Sequence, residues 1–437
     1  MQKDKIKVVW ICEFSNENVR KRLSFRFYSP LFILGKLRNR IIFRDLSQWI
    51  TNGIQEFKKI DNIELHVISS HPYLLKKIQA FKEDNVYFHF FKSENDNFLT
   101  SLRRKFLPTK LKTNYKKNSH LIHKIIENIN PDIIHLIGAE LPYISSSVLS
   151  LNSKRPLLVT LQTLMSDPKF YENYPIDKES YDFRCAIEKK VIRRADYIGT
   201  SVLKFAKEIK QSIKNDAIFI PCRLAVAEPF HIEISEKQYD FVYFSKEIEK
   251  AADWAIEAFA IANKSNPQMT LLIVGGYSRV FKEQLDYKIL EYGLTDKITF
   301  TGSLPTHEDV IKKIKKAKYA LIPLKIDLIS GTIREAMACG LPVITTRTPS
   351  TPDLNAKREC ILIAEPADFQ DIANKMLLLY NKPDYTNRLV KNSFITLNER
   401  YNNTLAMQGW VDAYKAICQN YYYNVPIPNK LIFNIEK

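Results

Sequence analysis

The chain has 437 residues, 45% of them hydrophobic and 26% charged; that length suits two domains of about 200 residues each, and that composition excludes a disordered chain. Net charge is +17, yet residues 1–126 hold 25 Lys and Arg against 11 Asp and Glu, leaving 40 against 37 in the remaining 311. No apolar run nears the ~20 residues that span a bilayer, and the six cysteines show no C-x-x-C spacing that would suggest zinc or a disulfide framework.

The sequence leads straight into an apolar strand at 8–12, without the apolar region and small-residue cleavage site of a signal peptide. A cytoplasmic protein with reduced thiols is expected. Short runs at 63–68, 86–91, 133–137, 157–161 and 197–200 are rich in β-branched or aromatic residues and read as buried strands. Helical stretches at 46–59, 121–128 and 182–194 lie between them. The excess cations gather at 18–44 and 103–124, interleaved with Phe, Tyr and Leu. Such a mixture suits an anionic membrane surface, the plainer alternative being a solvated basic face. No nucleic-acid recognition module is visible, so nucleic acid is not expected as a partner.

Residues 218–234, with Pro221 and Pro229, break the pattern and read as a linker. Beyond them the alternation repeats: strands at 241–244, 270–274, 298–301, 319–323 and 343–345, with helices at 250–263, 282–291, 309–316, 332–339, 371–380 and 401–418. Strand and helix in turn predict a parallel, doubly wound sheet, here twice over. The expected division is 1–220, 221–400, and a C-terminal helix and tail at 401–437 that returns to the first domain. Two such α/β domains facing across a cleft would bind ligands at the carboxyl ends of their strands.

The informative segment is 327–343, D-L-I-S-G-T-I-R-E-A-M-A-C-G-L-P-V. It follows a strand and enters a helix. Ser330 suits the N-cap, Gly331 lets backbone approach a ligand, and the free amides of that helix start suit a diphosphate or sugar hydroxyls. Glu335, early in the helix, can accept from vicinal ribose hydroxyls, and Gly340 ends the helix.

The acid-x7-acid spacing from Asp327 to Glu335, followed by A-M-A-C-G-L-P-V, resembles the donor-site signature of retaining family-4 glycosyltransferases of the GT-B fold. The resemblance covers 239–400. Within it, Lys250-Ala251-Ala252-Asp253 with Ile256-Glu257-Ala258-Phe259 is similar to that family's K-G-x-D…I-E-A-F helix start. It implies a nucleotide-diphosphate sugar as donor and no cofactor or metal. Lys250 would neutralise the leaving diphosphate, Glu335 would hold the ribose, and Asp327 with the backbone of Ile329, Ser330, Gly331 and Thr332 would contact the sugar. Gly302, Ser303 and Leu304 would lie near the base.

Three positions depart from the pattern. Asp327 stands where the family usually has Glu, Ala251 where it has Gly, and Ser245 where an Arg is usual, with Lys246 next to it as the substitute cation. In the first domain the strand end from Asp132 to Glu140 resembles the one that delivers a residue near the donor sugar, which makes Glu140 the third catalytic candidate beside Asp327 and Lys250. His135 reads as a core residue, Gln162 stands where a His is common, and the helix at 184–194 reads as structural.

The implied reaction is metal-independent sugar transfer with retention at the anomeric carbon, by front-face attack, to a saccharide or lipid-linked acceptor of cell-surface polysaccharide or lipopolysaccharide synthesis. It would take place in the cytoplasm, with peripheral attachment to the inner face of the cytoplasmic membrane. The rival readings are a nucleotide-sugar epimerase of the same fold and a non-catalytic nucleotide-binding scaffold.

Overall fold

A computed structural model describes residues 5–25, 45–93, 115–152, 154–167, 177–225, 236–244, 251–325, 331–348, 350–433 and 435. They form two compact units. The described residues up to 167, 177–225 and those from 403 onward make the first, and 236–402 make the second.

The first unit runs β1 (Ile6–Ile11), α1 (Glu17–Arg22), α2 (Gln48–Phe57), β2 (Ile63–Ser70), β3 (Ile78–Glu83), β4 (Val86–Phe91), α3 (Lys116–Ile129), β5 (Ile133–Ile137), α4 (Pro142–Ser145), β6 (Leu157–Thr160), α5 (Lys178–Arg194), β7 (Tyr197–Gly199), α6 (Leu203–Ser212) and β8 (Phe219–Ile220). Its sheet has the order β3-β4-β2-β1-β5-β6-β7-β8. β5, β6 and β7 are buried at every position, as parallel strands covered on both faces must be.

The second unit holds β9 (Tyr239–Phe244), α7 (Ala252–Ser265), β10 (Leu271–Val274), α8 (Arg279–Glu291), β11 (Ile298–Phe300), α9 (His307–Ile314), β12 (Ala317–Ile322), α10 (Gly331–Ala338), β13 (Val343–Thr346), β14 (Leu362–Ala364), α11 (Phe369–Asn381) and α12 (Pro383–Arg400). All its strand pairs are parallel, in the order β11-β10-β9-β12-β13-β14. Counted along this unit, that order is 3-2-1-4-5-6. The direction of winding reverses between β9 and β12, which opens the sheet for a ligand at their carboxyl ends.

α13 (Asn403–Tyr423) closes the chain against the first unit. Its Trp410 and Tyr414 are buried and meet the ring of Trp10. Burying an aromatic of that size contributes roughly 4–6 kcal/mol. The polar tips are paired. Trp10 Nε1 donates to the Tyr414 hydroxyl at 2.7 Å, which lies 2.6 Å from His135 Nδ1, while His135 Nε2 lies 2.7 Å from Thr160 Oγ1. His135 is therefore a core residue, and burial lowers its pKa to about 3, so its ring stays neutral.

The structure corrects several expectations. β3 runs antiparallel to β4, so the first sheet is not wholly parallel; the hairpin closes through Asp84 at φ 55°, which alternation alone does not reveal. Phe219 and Ile220, read as linker, pair with β7 as an edge strand. α6 and α12 were not anticipated, because polar residues interrupt their short apolar runs, nor was β14, which is only three residues long.

Candidate active site

β9 and β12 lie side by side, Val242 level with Ala320. The segment with Lys246 and Lys250 leaves the end of β9, and the segment with Asp327, Ile329 and Ser330 leaves the end of β12. Those five residues lie outside the described residues. Their anchors do not. Lys325 Nζ sits 2.7 Å from Asp253 Oδ2, joining the last described residue after β12 to the second residue of α7. Leu324 is held in turn by Thr346 Oγ1, which accepts from its amide and donates to its carbonyl, both at 2.7 Å.

α10 begins at Gly331, with Thr332 buried in its first turn. It stops by a Gly-terminated reversal. The amides of Gly340 and Leu341 donate to Met337 O and Ala336 O, with Gly340 at φ 70°. Glu335, one turn in, is mostly shielded, and its Oε1 lies 3.5 Å from His307 Nε2. His307 opens α9 behind a Thr306–Asp309 capping box. Sequence reading missed His307. The signal was available in T-H-E-D, a capping-box start that fixes where the helix opens.

The loops after β10 and β11 are drawn together. The Gly275 amide donates to Gly302 O at 3.2 Å, and a Cβ on Gly276 would come within 1.8 Å of Ser303 Oγ. Gly302 adopts φ 66° and is exposed, with Ser303 and Leu304 half-buried beside it. Gly302, Ser303 and Leu304 thus form a shaped turn at the carboxyl edge of the second sheet, the edge from which α10 with Gly331, Thr332 and Glu335 also starts.

Glu140 belongs to the first unit, in the turn after β5 at that sheet's own reversal between β1 and β5. It is buried, and its Oε2 makes no hydrogen bond. Burial raises its pKa to about 8; the nearby Glu188 and Glu13 push the same way and Arg184 opposes them. The carboxyl is thus largely protonated at neutral pH, able to donate as well as accept. Gly138, at φ 99°, has no room for a side chain, since a Cβ would fall 2.8 Å from Gln162 Nε2 and 3.1 Å from Glu140 Oε1. α5, read from sequence as structural only, supports this turn. Arg184 donates to Glu140 O at 3.0 Å, and the Glu188 carboxylate accepts from the Met165 and Ser166 amides at 2.9 Å each.

Residues 227–395 match the family described as Glycosyl transferases group 1. Among solved structures, sucrose-phosphate synthase from Thermosynechococcus elongatus superposes with a TM-score of 0.65 at 15% identity, over 94% of this chain and 98% of that one. The fold is GT-B. Anabaena HepE in complex with UDP and glucose superposes with a TM-score of 0.61 at 13% identity over 94% and 99% of the two chains. The 2-deoxystreptamine glucosyltransferase of Streptomyces kanamyceticus is 24% identical over 226 residues, 48% of this chain. The match spans 57% of that relative's length. Family match and fold together support a glycosyltransferase of GT-B architecture. Among the described residues no helix is long and apolar enough to cross a membrane.

Proposed function

We propose that this protein transfers a sugar from a nucleotide-diphosphate donor, bound by its second unit, to a saccharide or lipid-linked acceptor in cell-surface polysaccharide synthesis. The observation that carries the reading is the winding reversal between β9 and β12. There the segments bearing Lys250 and Asp327 leave neighbouring strand ends, beside the start of α10. Helix-start amides and a lysine ammonium suit a diphosphate whose charge grows as it leaves. Glu335 suits the ribose, Gly302, Ser303 and Leu304 the base, and Asp327 with Ile329, Ser330, Gly331 and Thr332 the sugar, with Lys246 a second cation. HepE was solved with UDP and glucose; a nucleotide sugar is the corresponding donor here.

Glu140, a buried carboxyl with an open oxygen, offers a hydrogen-bonding group to sugar hydroxyls in the first unit. The reaction retains the anomeric configuration by front-face attack, the acceptor hydroxyl passing its proton to the departing phosphate, and uses no metal. The basic residues of 1–126 draw the enzyme to the anionic inner face of the cytoplasmic membrane. The test is to follow donor consumption and product anomer, with and without acceptor. Retained product that needs acceptor supports the proposal. Inverted product refutes retention, an altered free sugar without acceptor indicates an epimerase, and binding without turnover indicates a scaffold.

A further inference from the structure

We infer that Asp253 and Lys325 form a positioning clamp that fixes the first turn of α7 against the residue after β12, on either side of the proposed donor site, without either residue touching the donor. The inference rests on the donor site proposed above and assigns residues to it that the sequence pattern leaves without a role.

Adjacent parallel strands bring the two segments out side by side but do not fix how each one turns afterwards. Residues 245–250 must end where α7 begins, and 326–330 must end where α10 begins. Asp253 lies in the first turn of α7, where the helix amides favour an acid. Lys325 is the last described residue before 326–330, and its stem is rooted through Leu324 to Thr346 on β13. The 2.7 Å pair therefore ties the far root of one segment to the near root of the other.

The pair differs from an ordinary surface ion pair. Its side chains are only 16% and 22% exposed, so solvent screening is weak. Lys325 also lies 5.5 Å from the Trp254 ring centre, which restricts its ammonium from a second side. Asp253 Oδ1 is buried and makes no hydrogen bond, so the carboxylate depends on Lys325 for compensation. Losing either partner leaves a shielded charge that drives the first turn of α7 to rearrange.

The experiment measures affinity for UDP and GDP by calorimetry, and donor KM and kcat, in the full chain with Asp253→Asn, Lys325→Met, the pair combined, and Lys325→Arg. Melting curves without ligand confirm that each variant folds. Each single variant should bind the diphosphate that the wild type selects about tenfold more weakly, with KM rising more than kcat falls. The combined variant should lose no more than either single one, and Lys325→Arg should recover most of the affinity. Tighter or unchanged binding by Asp253→Asn overturns the clamp, because it means that Lys325 serves the diphosphate directly once freed. Independent, additive losses overturn it as well. A wild type that binds no nucleoside diphosphate overturns the donor-site reading and the clamp together, whereas binding that is indifferent to all four variants overturns the clamp alone.

Discussion

His307 Nε2 lies 3.5 Å from Glu335 Oε1, which sets the first residue of α9 against the second turn of α10, two helices that follow different strands of one sheet. The imidazole limits the directions open to the carboxylate and so helps aim it. Glu335→Gln should weaken nucleoside diphosphate binding by about 10- to 100-fold, the range for a lost charge-assisted hydrogen bond. The same variant should lose little against 2′,3′-dideoxy analogues, which have no vicinal hydroxyls to offer. His307→Ala should give a smaller loss of the same pattern. Equal losses against ribose and dideoxyribose ligands would show that Glu335 acts elsewhere.

Gly276 and Ser303 make a second sharp test, because a methyl group cannot fit between their loops. Gly276→Ala meets Ser303 Oγ at 1.8 Å and its Cβ at 3.0 Å. Rotating the hydroxyl away relieves the first contact only. The substitution should cost about 1–3 kcal/mol, typical of overpacking, and should raise donor KM through the Gly302–Leu304 turn. Adding Ser303→Gly should restore part of the stability, read from denaturant midpoints.

Glu140 and His135 impose opposite pH dependences on stability. Burial raises the folded-state pKa of Glu140 to about 8 from an ordinary 4.5. Its stabilising contribution is present in full below pH 4.5 and is lost as pH rises through 8, because the unfolded chain ionises first. Glu140→Gln should remove that decline, gaining roughly 4–5 kcal/mol at pH 8 or above in denaturant melts. If the neutral carboxyl is the working form, activity of the wild type should fall above pH 8 while that of the variant stays flat. His135 runs the other way, since its pKa drops from 6.5 to about 3. Stability is lost as pH falls below 6.5, where the unfolded chain takes up a proton that the core refuses.

Tyr414 links two buried groups, Trp10 and His135, to the C-terminal helix. Tyr414→Phe keeps the ring but leaves Trp10 Nε1 and His135 Nδ1 without their shared partner. A loss of about 2–4 kcal/mol is expected, with the first unit melting at lower temperature. Donor binding by the second unit should be unchanged at temperatures where both units remain folded. An undiminished melting point would mean that water replaces the hydroxyl.

Much of this protein was legible in its sequence, and the reason is periodicity. Buried parallel strands such as 133–137 and 157–160 are apolar at nearly every position, and several helix starts, at Asp177, Ser278 and Thr306 among them, carry capping residues. Element types and the alternation of strand and helix in the second unit therefore follow from local chemistry, whereas its strand order does not. Asp327 and Glu335 stood out for another reason, the acid-x7-acid spacing that, followed by A-M-A-C-G-L-P-V, resembles a glycosyltransferase donor-site signature within one stretch of chain.

What local chemistry does not encode is which distant residues share a site. Lys325 meets Asp253, 72 positions away, only because β9 and β12 became neighbours when the winding reversed. His307 reaches Glu335 only because α9 and α10 come together on the folded sheet. Glu140 carries nothing in its own sequence to mark it as neutral; its proton is held by the burial that α5, β1 and β5 create together. Sequence determined the elements and singled out 327–343 as the candidate donor segment, whereas proximity, exclusion of water and protonation state were decided by tertiary packing, because each depends on groups brought together from far apart in the chain.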